Sequence, residues 1–521
     1  KKKKESALIM RKQTKLVAVL SAAALLAIGA SMTSFAAQGW TEEDGTWVYV
    51  DNDGYRVTDT WKKSGNFWYY LDEDGYMATS KLIENGDAND NTYYVDETGR
   101  MVANKWVELE NENYYDGVDD DESETVWYYF QNSGKAYKTN GATSWKTING
   151  KKYAFDENGH MLWGWVDGDS KRCPGDDGYQ TGIYYCGDAN DGARATSDWR
   201  YLYIGSENRV NDTEDDTFWF YFDVNGKKIQ TVAADNAGKA PSEFAYKTKK
   251  INGKTYAFDE EGKMISKWSE GSADTASYID GYFSTSDDGA RRKGWFQAVP
   301  SKNINSKANA DEDNKWFYAN NDGTLVVEKI KTINGKKYAF NEKGEMLSGL
   351  WALSLNDDNV ILDSTKIDTQ KGVDEIANYA DPYFVYYFGG SDDGAMKTGA
   401  QSVEVDGDKY QFTFGKSGGS KGQGVNGVQG NILYVNGKRI KADTDYRYQV
   451  VDKQGNVKST SGVSTNGGEV IAEGYLVNSS GSVMKGSGTY SDTDGKQYKV
   501  SAVTTADGDT AYRVTYWGYK K

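Results

Sequence analysis

The sequence predicts an all-β chain: an elongated solenoid of stacked short β-hairpin repeats, with long acidic loop inserts and a divergent β region at the C-terminus. Three observations predict it. An aromatic unit recurs, with a step of 21 residues from Trp40 to Trp61 and of 20 from Trp145 to Trp165. Turn signals of the Asp-x-x-Gly and Asn-Gly kinds separate its strand-forming runs, where Asp accepts backbone hydrogen bonds and Gly takes positive φ. Aromatics make up 14% of the 521 residues and Gly supplies 58, against four Pro and few aliphatics, which suits many small aromatic cores in series better than one large core. One hairpin alone is marginal in water, so such units must stack.

Taken in chain order, residues 1–36 read as a secretory leader with an upstream extension before Met10. Lys1, Lys2, Lys3, Lys4, Arg11, Lys12 and Lys15 form a positive flank, 16–28 is apolar, and Ser34-Phe35-Ala36 fits cleavage after Ala36. The apolar run is too short to span a bilayer, and no membrane insertion is expected after cleavage. The first repeats follow at Gly39-Trp40 … Trp47-Val48-Tyr49 … Gly54 and Trp61 … Trp68-Tyr69-Tyr70-Leu71 … Gly75 … Met77. Tight Asn-Gly turns stand at 149–150, 252–253, 334–335 and 436–437. Above the short period lies a longer one. Lys146-Thr-Ile-Asn-Gly-Lys-Lys-Tyr-Ala-Phe155 returns from Lys250 and again from Lys331, and the aromatic strands preceding the copies open at Trp127, Trp219 and Trp316. Acidic, Asn-rich inserts at 109–125, 206–217 and 301–315 read as long hairpin loops. Cys173 and Cys186 close a short loop rich in turn formers, and in an exported chain this predicts a disulfide. From about 401 the Trp pattern fades, so 37–400 is the repeat region and 401–521 is either divergent repeats or a small β domain.

Charge narrows the function. The chain carries 61 Lys and Arg against 77 Asp and Glu, a net charge of −16, and loss of the leader makes it more acidic still. Such a surface repels nucleic acid and anionic membranes. His160 is the only histidine and replaces Lys263 and Glu345 of the sister copies, which makes it a surface position and sets aside His-based triads and metal sites. The acidic run 119–122 lacks the spacing of a calcium-binding loop and reads as solvated. No cofactor is expected.

The sequence Gly-Trp, turn, Trp-Tyr-Tyr, Asp-x-x-Gly, Met-x-Thr resembles the choline-binding, or cell-wall-binding, repeats of Gram-positive surface proteins. The match is closest over 39–80 and 145–165 and recognisable over about 39–400. The resemblance implies ligand cages of aromatic residues, often with a Met, between consecutive hairpins. On this basis the cages fall on Trp40 and Trp47 with Trp61, on Trp61 and Trp68 with Met77, and on Trp145 and Tyr153 with Met161 and Trp165. The chain departs from the pattern at Lys81, which stands where the next leading Trp is due, and at Ile251 and Ile333, which open units without one. The implied partner is a cell-wall polymer, either choline-bearing teichoic acid or a polysaccharide such as a glucan, with a host glycan or protein as the further class. The implied role is a non-catalytic, secreted surface protein or adhesin held noncovalently at the wall. The competing roles are a part or relative of a wall hydrolase, and a structural stalk in which every aromatic serves packing alone.

Overall fold

The computed structural model describes residues 38–84, 91–114, 122–139, 144–175, 177–204, 217–239, 245–269, 281–458, 474–504 and 510–519. The leader expected at 1–36 lies outside these residues, as does most of the 206–217 insert. The chain divides after Lys228 into two compact units.

Over the described residues up to Lys228 the sheets are two-stranded antiparallel hairpins in chain order. Gly39–Glu43 pairs with Thr46–Val50, Thr60–Ser64 with Phe67–Leu71, Lys105–Glu110 with Thr125–Phe130, and Asp198–Tyr203 with Thr217–Phe222. Turn chemistry makes them. Asn149 at φ 50° and Gly150 at φ 81° form the left-handed pair that matches strand twist in a two-residue hairpin turn. At the far end of most of these hairpins an Asp side chain shapes the exit. Asp72 Oδ1 accepts the N–H groups of Asp74 and Tyr76, and Asp156 Oδ1 those of Asn158 and His160.

The chain leaving that turn reaches back to the preceding hairpin. Met77 N–H donates to the Trp47 carbonyl at 2.7 Å, and Met101 to Trp68, Met161 to Trp127 and Met346 to Trp316 at 2.8 Å. Each of these hairpins is thus tied to the one before it by backbone bonds that need no particular side chain. The closing residue of the second strand lies under the tie: Leu71, Phe130, Phe222, Phe258 and Phe340 are fully buried. Each such burial is worth about 1.5–3 kcal/mol, so the core is a series of small clusters, as the composition predicts.

From Ile229 on, the hairpins Lys247–Ile251 with Lys254–Phe258 and Lys329–Ile333 with Lys336–Phe340 repeat this plan. The 301–315 insert is a hairpin loop between Gly294–Ala298 and Lys315–Ala319, and it contains the short helix Ser306–Ala310. Pairing then widens to a three-stranded sheet over 350–387, a five-stranded sheet over 399–439 and a three-stranded sheet over 488–519. Among the described residues no helix is long and apolar enough to cross a membrane.

The structure corrects the expected disulfide: Cys173 and Cys186 are both free. The reason is topological. The strand Trp165–Val166 runs between them, with Cys173 N–H donating to the Trp165 carbonyl on one edge and Cys186 N–H to the Gly164 carbonyl on the other. Two strand spacings amount to about 9–10 Å, beyond the Cα separation of roughly 7 Å that a disulfide tolerates. The two thiols accordingly pack in different clusters. Cys186 lies with Ala154, Leu162 and Val166, and Cys173 lies against Trp165, Tyr179 and Phe220.

Candidate functional site

Strand register decides which aromatics meet. In a regular hairpin the leading Trp stands directly opposite a Tyr, as Trp40 opposite Tyr49, Trp61 opposite Tyr70, Trp106 opposite Tyr129, Trp165 opposite Tyr185 and Trp295 opposite Tyr318. Opposed residues share a face, and each of these pairs packs edge to face with ring centroids 5.1–5.5 Å apart. The next hairpin supplies a third ring. Trp40 meets Tyr69 at 5.4 Å, Trp61 meets Tyr93 at 5.2 Å, Trp106 meets Tyr153 at 4.9 Å, Trp165 meets Phe220 at 5.1 Å and Trp295 meets Tyr338 at 4.7 Å.

The fourth wall comes from the backbone tie described above. By that register Met77 belongs to the Trp40 box, Met101 to the Trp61 box, Met161 to the Trp106 box and Met346 to the Trp295 box. The following turn clamps the Met: a Cβ on Gly192 would lie 2.4 Å from Met161 Sδ, and one on Gly394 2.2 Å from Met346 Sδ. Only glycine fits there. Burial raises the Tyr70 and Tyr153 hydroxyls above the ordinary phenol range, so the rings stay neutral. Ring faces with a thioether offer an electron-rich, water-poor lining to a cation that carries methyl groups.

The boxes differ in access. Around Trp106, the rings Tyr129 and Tyr153 and the side chain of Met161 are buried, with Tyr137 stacked on Tyr129 at 5.7 Å. Around Trp295 all four walls, Trp295, Tyr318, Tyr338 and Met346, are only half-buried, and Trp316 adds a further ring 6.0 Å from Trp295. Some positions are not boxes. Lys81 opposes Val95, so Leu82, opposite Tyr94, holds the Trp place, and an apolar cluster with Val102, Tyr128 and Phe130 fills it. Thr248 and Ile330 take the same place opposite Ala257 and Ala339.

The residues expected from sequence therefore distribute differently from their grouping there. Trp40 and Trp61 lead two separate boxes, and Met77 closes the first. Trp47 supplies the carbonyl that Met77 binds. Trp68 is among the exposed large hydrophobics and has Lys63 Nζ 6.0 Å over its ring. Tyr153 and Met161 come together, but around Trp106. Trp145 meets Tyr184 at 4.9 Å, and Trp165 leads the box after it. Sequence reasoning passed over Trp106, Trp295, Tyr318, Tyr338 and Met346; the signal available for them was the module repeat, which aligns Trp127 with Trp316. His160 pairs with Asp156, Nδ1 to Oδ2 3.2 Å, next to Tyr128 at 5.2 Å, as a turn residue would.

Comparison with known proteins places family matches on several of these hairpins. A family model described as a choline-binding repeat matches residues 57–106, which hold the Trp61 box and Met101. A second, described as a putative cell wall binding repeat, matches 126–136, 143–161 and 311–325. Glucosyltransferase-S of Streptococcus mutans is 27% identical over 257 residues, which are 46% of this chain and 14% of that protein, so the chain spans a small part of its relative. Among solved structures, the modular autolysin LytC of Streptococcus pneumoniae in complex with a synthetic peptidoglycan ligand is 17% identical, with TM-score 0.33 over 60% of this chain and 54% of that one. The choline-binding domain of CbpL from the same species is 20% identical, with TM-score 0.28 over 49% of this chain and 98% of that one. Over these matched segments the chain carries choline-binding repeats, of the kind also described as cell-wall binding.

Proposed function

We propose that the Met-closed aromatic boxes bind quaternary-ammonium groups of the choline type displayed on a cell-wall polymer, and that the secreted protein is held noncovalently at the wall by several of them. The Trp295 box is the observation that carries this reading, with Tyr318 and Tyr338 both packed on Trp295 and a Met closing the set, all four half-buried rather than sealed. A trimethylammonium group makes no hydrogen bonds, so ring faces and methyl contacts must hold it. At about 0.5–2 kcal/mol per ring, three rings give roughly 4 kcal/mol, a Kd on the order of 1 mM for one box. The boxes led by Trp40, Trp61 and Trp106 are the further sites, and we assign no ligand to 401–521. We read the chain as a binding part without catalysis of its own. Purified protein is expected to release neither reducing sugar nor amino groups from walls.

Equilibrium dialysis against choline at fixed ionic strength tests the reading. Saturable binding that loses one site in Trp295→Ala and one in Trp61→Ala is expected, and the absence of saturable binding in the unaltered protein would sink it. One observation favours a second reading, glucan binding: Tyr201 and Tyr203 alternate on one face of Asp198–Tyr203 and lie open to solvent, Tyr201 with Trp219 at 4.9 Å. A flat aromatic strip suits stacking on sugar faces. Retention on dextran, lost in Tyr201→Ala, would favour it.

A further inference from the structure

Among the described residues, the position that holds Met in four boxes led by Trp holds a cation in two, and Arg291 takes it in the hairpin where Thr248 replaces the Trp. Arg194 N–H donates to the Lys152 carbonyl and Lys228 N–H to the Ile183 carbonyl, each at 2.9 Å or less, in the register of Met161 with Trp127. The clamp repeats as well: a Cβ on Gly226 would lie 2.4 Å from Arg194 Nε, as one on Gly192 would from Met161 Sδ. Their side chains lie over the aromatic walls. The Arg194 guanidinium carbon is 4.4 Å from the Trp145 centroid and 5.7 Å from that of Tyr184. Lys228 Nζ is 5.4 Å from the Trp165 centroid and donates to the Tyr179 carbonyl. Both side chains are buried, Arg194 at 9% exposure and Lys228 at 6%.

We propose that Arg194 and Lys228 are built-in occupants of the Trp145 and Trp165 boxes, which closes those two sites to an external quaternary ammonium and leaves ligand to the Met-closed boxes. This rests on the reading that Met-closed boxes take such a ligand. A ring face attracts one cation through its quadrupole within about 6 Å of the centroid, and at both boxes that place is filled. A second cation would meet like-charge repulsion in a site poor in water. Neither side chain can swing aside readily, because the next turn closes on Arg194 through Gly226, and Lys228 is anchored on a carbonyl of the 178–181 helix. Two of the boxes led by Trp thereby become struts between hairpins, with the cation playing the part that ligand plays elsewhere.

Calorimetric titration of the full chain with choline at fixed ionic strength counts the sites. Arg194→Met and Lys228→Met should each add one site and together two, since Met already sits in this register under Gly192. The converse, Met346→Arg, should remove one, and Arg194→Lys should leave the count unchanged. If the unaltered protein binds choline and neither Met variant gains a site, the occupancy proposal is overturned while the ligand reading stands. If no version binds choline, the ligand reading itself fails and takes the proposal with it. The two Met variants lie in different boxes, so a folding defect in one leaves the other to decide.

Discussion

Asp259 occupies the turn position that Asp72 and Asp156 hold in other hairpins, and accepts the N–H groups of Glu261 and Lys263. Burial nevertheless outweighs those bonds and pushes its carboxyl up to about 6 from 3.8. The folded chain then binds the proton more tightly than the unfolded chain, so stability rises as pH falls from 6 towards 3.8 and is lost again on the way up. The sister copy uses Asn341 at this place, with its side-chain oxygen accepting the N–H groups of Lys343 and Glu345. Asp259→Asn is therefore expected to keep the turn, raise stability above pH 6 and flatten the dependence between pH 4 and 6. Urea unfolding across that range checks it, and an unchanged slope would refute it. The thiols give a second prediction at this scale. Burial pushes Cys186 up to about 12, and the thiolate is the reactive form. In the native protein Cys173 should alkylate well before Cys186, and unfolding without reductant should expose both. A mass two hydrogens below the free-thiol form would restore the disulfide.

At the scale of the hairpin, the turn glycines do two separable jobs. Gly335, at φ 79°, has open space where a Cβ would go, whereas a Cβ on Gly394, at φ 58°, would collide with Met346. Gly335→Ala should cost only the left-handed strain, about 1–2 kcal/mol, and leave choline binding alone. Gly394→Ala should cost roughly 1–3 kcal/mol and also displace the Met wall, so one choline site is lost. Equal ligand counts in the two variants would break the link between turn and box. These turns are the part of the fold most legible in the sequence, because Asn-Gly and Asp-x-x-Gly specify backbone conformation locally. The boxes were less so. Each joins two hairpins across inserts of unequal length, and nothing near Trp106 in the chain announces that Tyr153 is its third wall. A slip of one residue reverses the face, which is why Leu82, not Lys81, proves to hold the Trp place. The paired cysteines misled for the same reason: a loop of suitable length does not reveal that a strand of the same hairpin passes between its ends.

For the molecule as a whole, attachment depends on number. One box near 1 mM holds nothing for long, but several boxes on one chain act in concert when the ligand repeats along a polymer, and effective concentration multiplies their affinities. Loss of one box should therefore lower the count of free-choline sites by one yet shorten retention on a choline-bearing surface by much more than that fraction. The net charge of −16 complicates the measurement, since an acidic chain also adheres to any cationic resin. The two effects separate by ionic strength. Long-range attraction between a charged resin and surface carboxylates is screened within about 10 Å at 0.1 M salt, whereas a cation seated against ring faces is screened much less. Bound protein should thus resist sodium chloride and leave with an equal concentration of choline chloride, and the combined variant Trp61→Ala with Trp295→Ala should leave at lower choline than either single variant. Elution by the two salts at the same concentration would mean that carboxylates, not aromatic boxes, hold the chain.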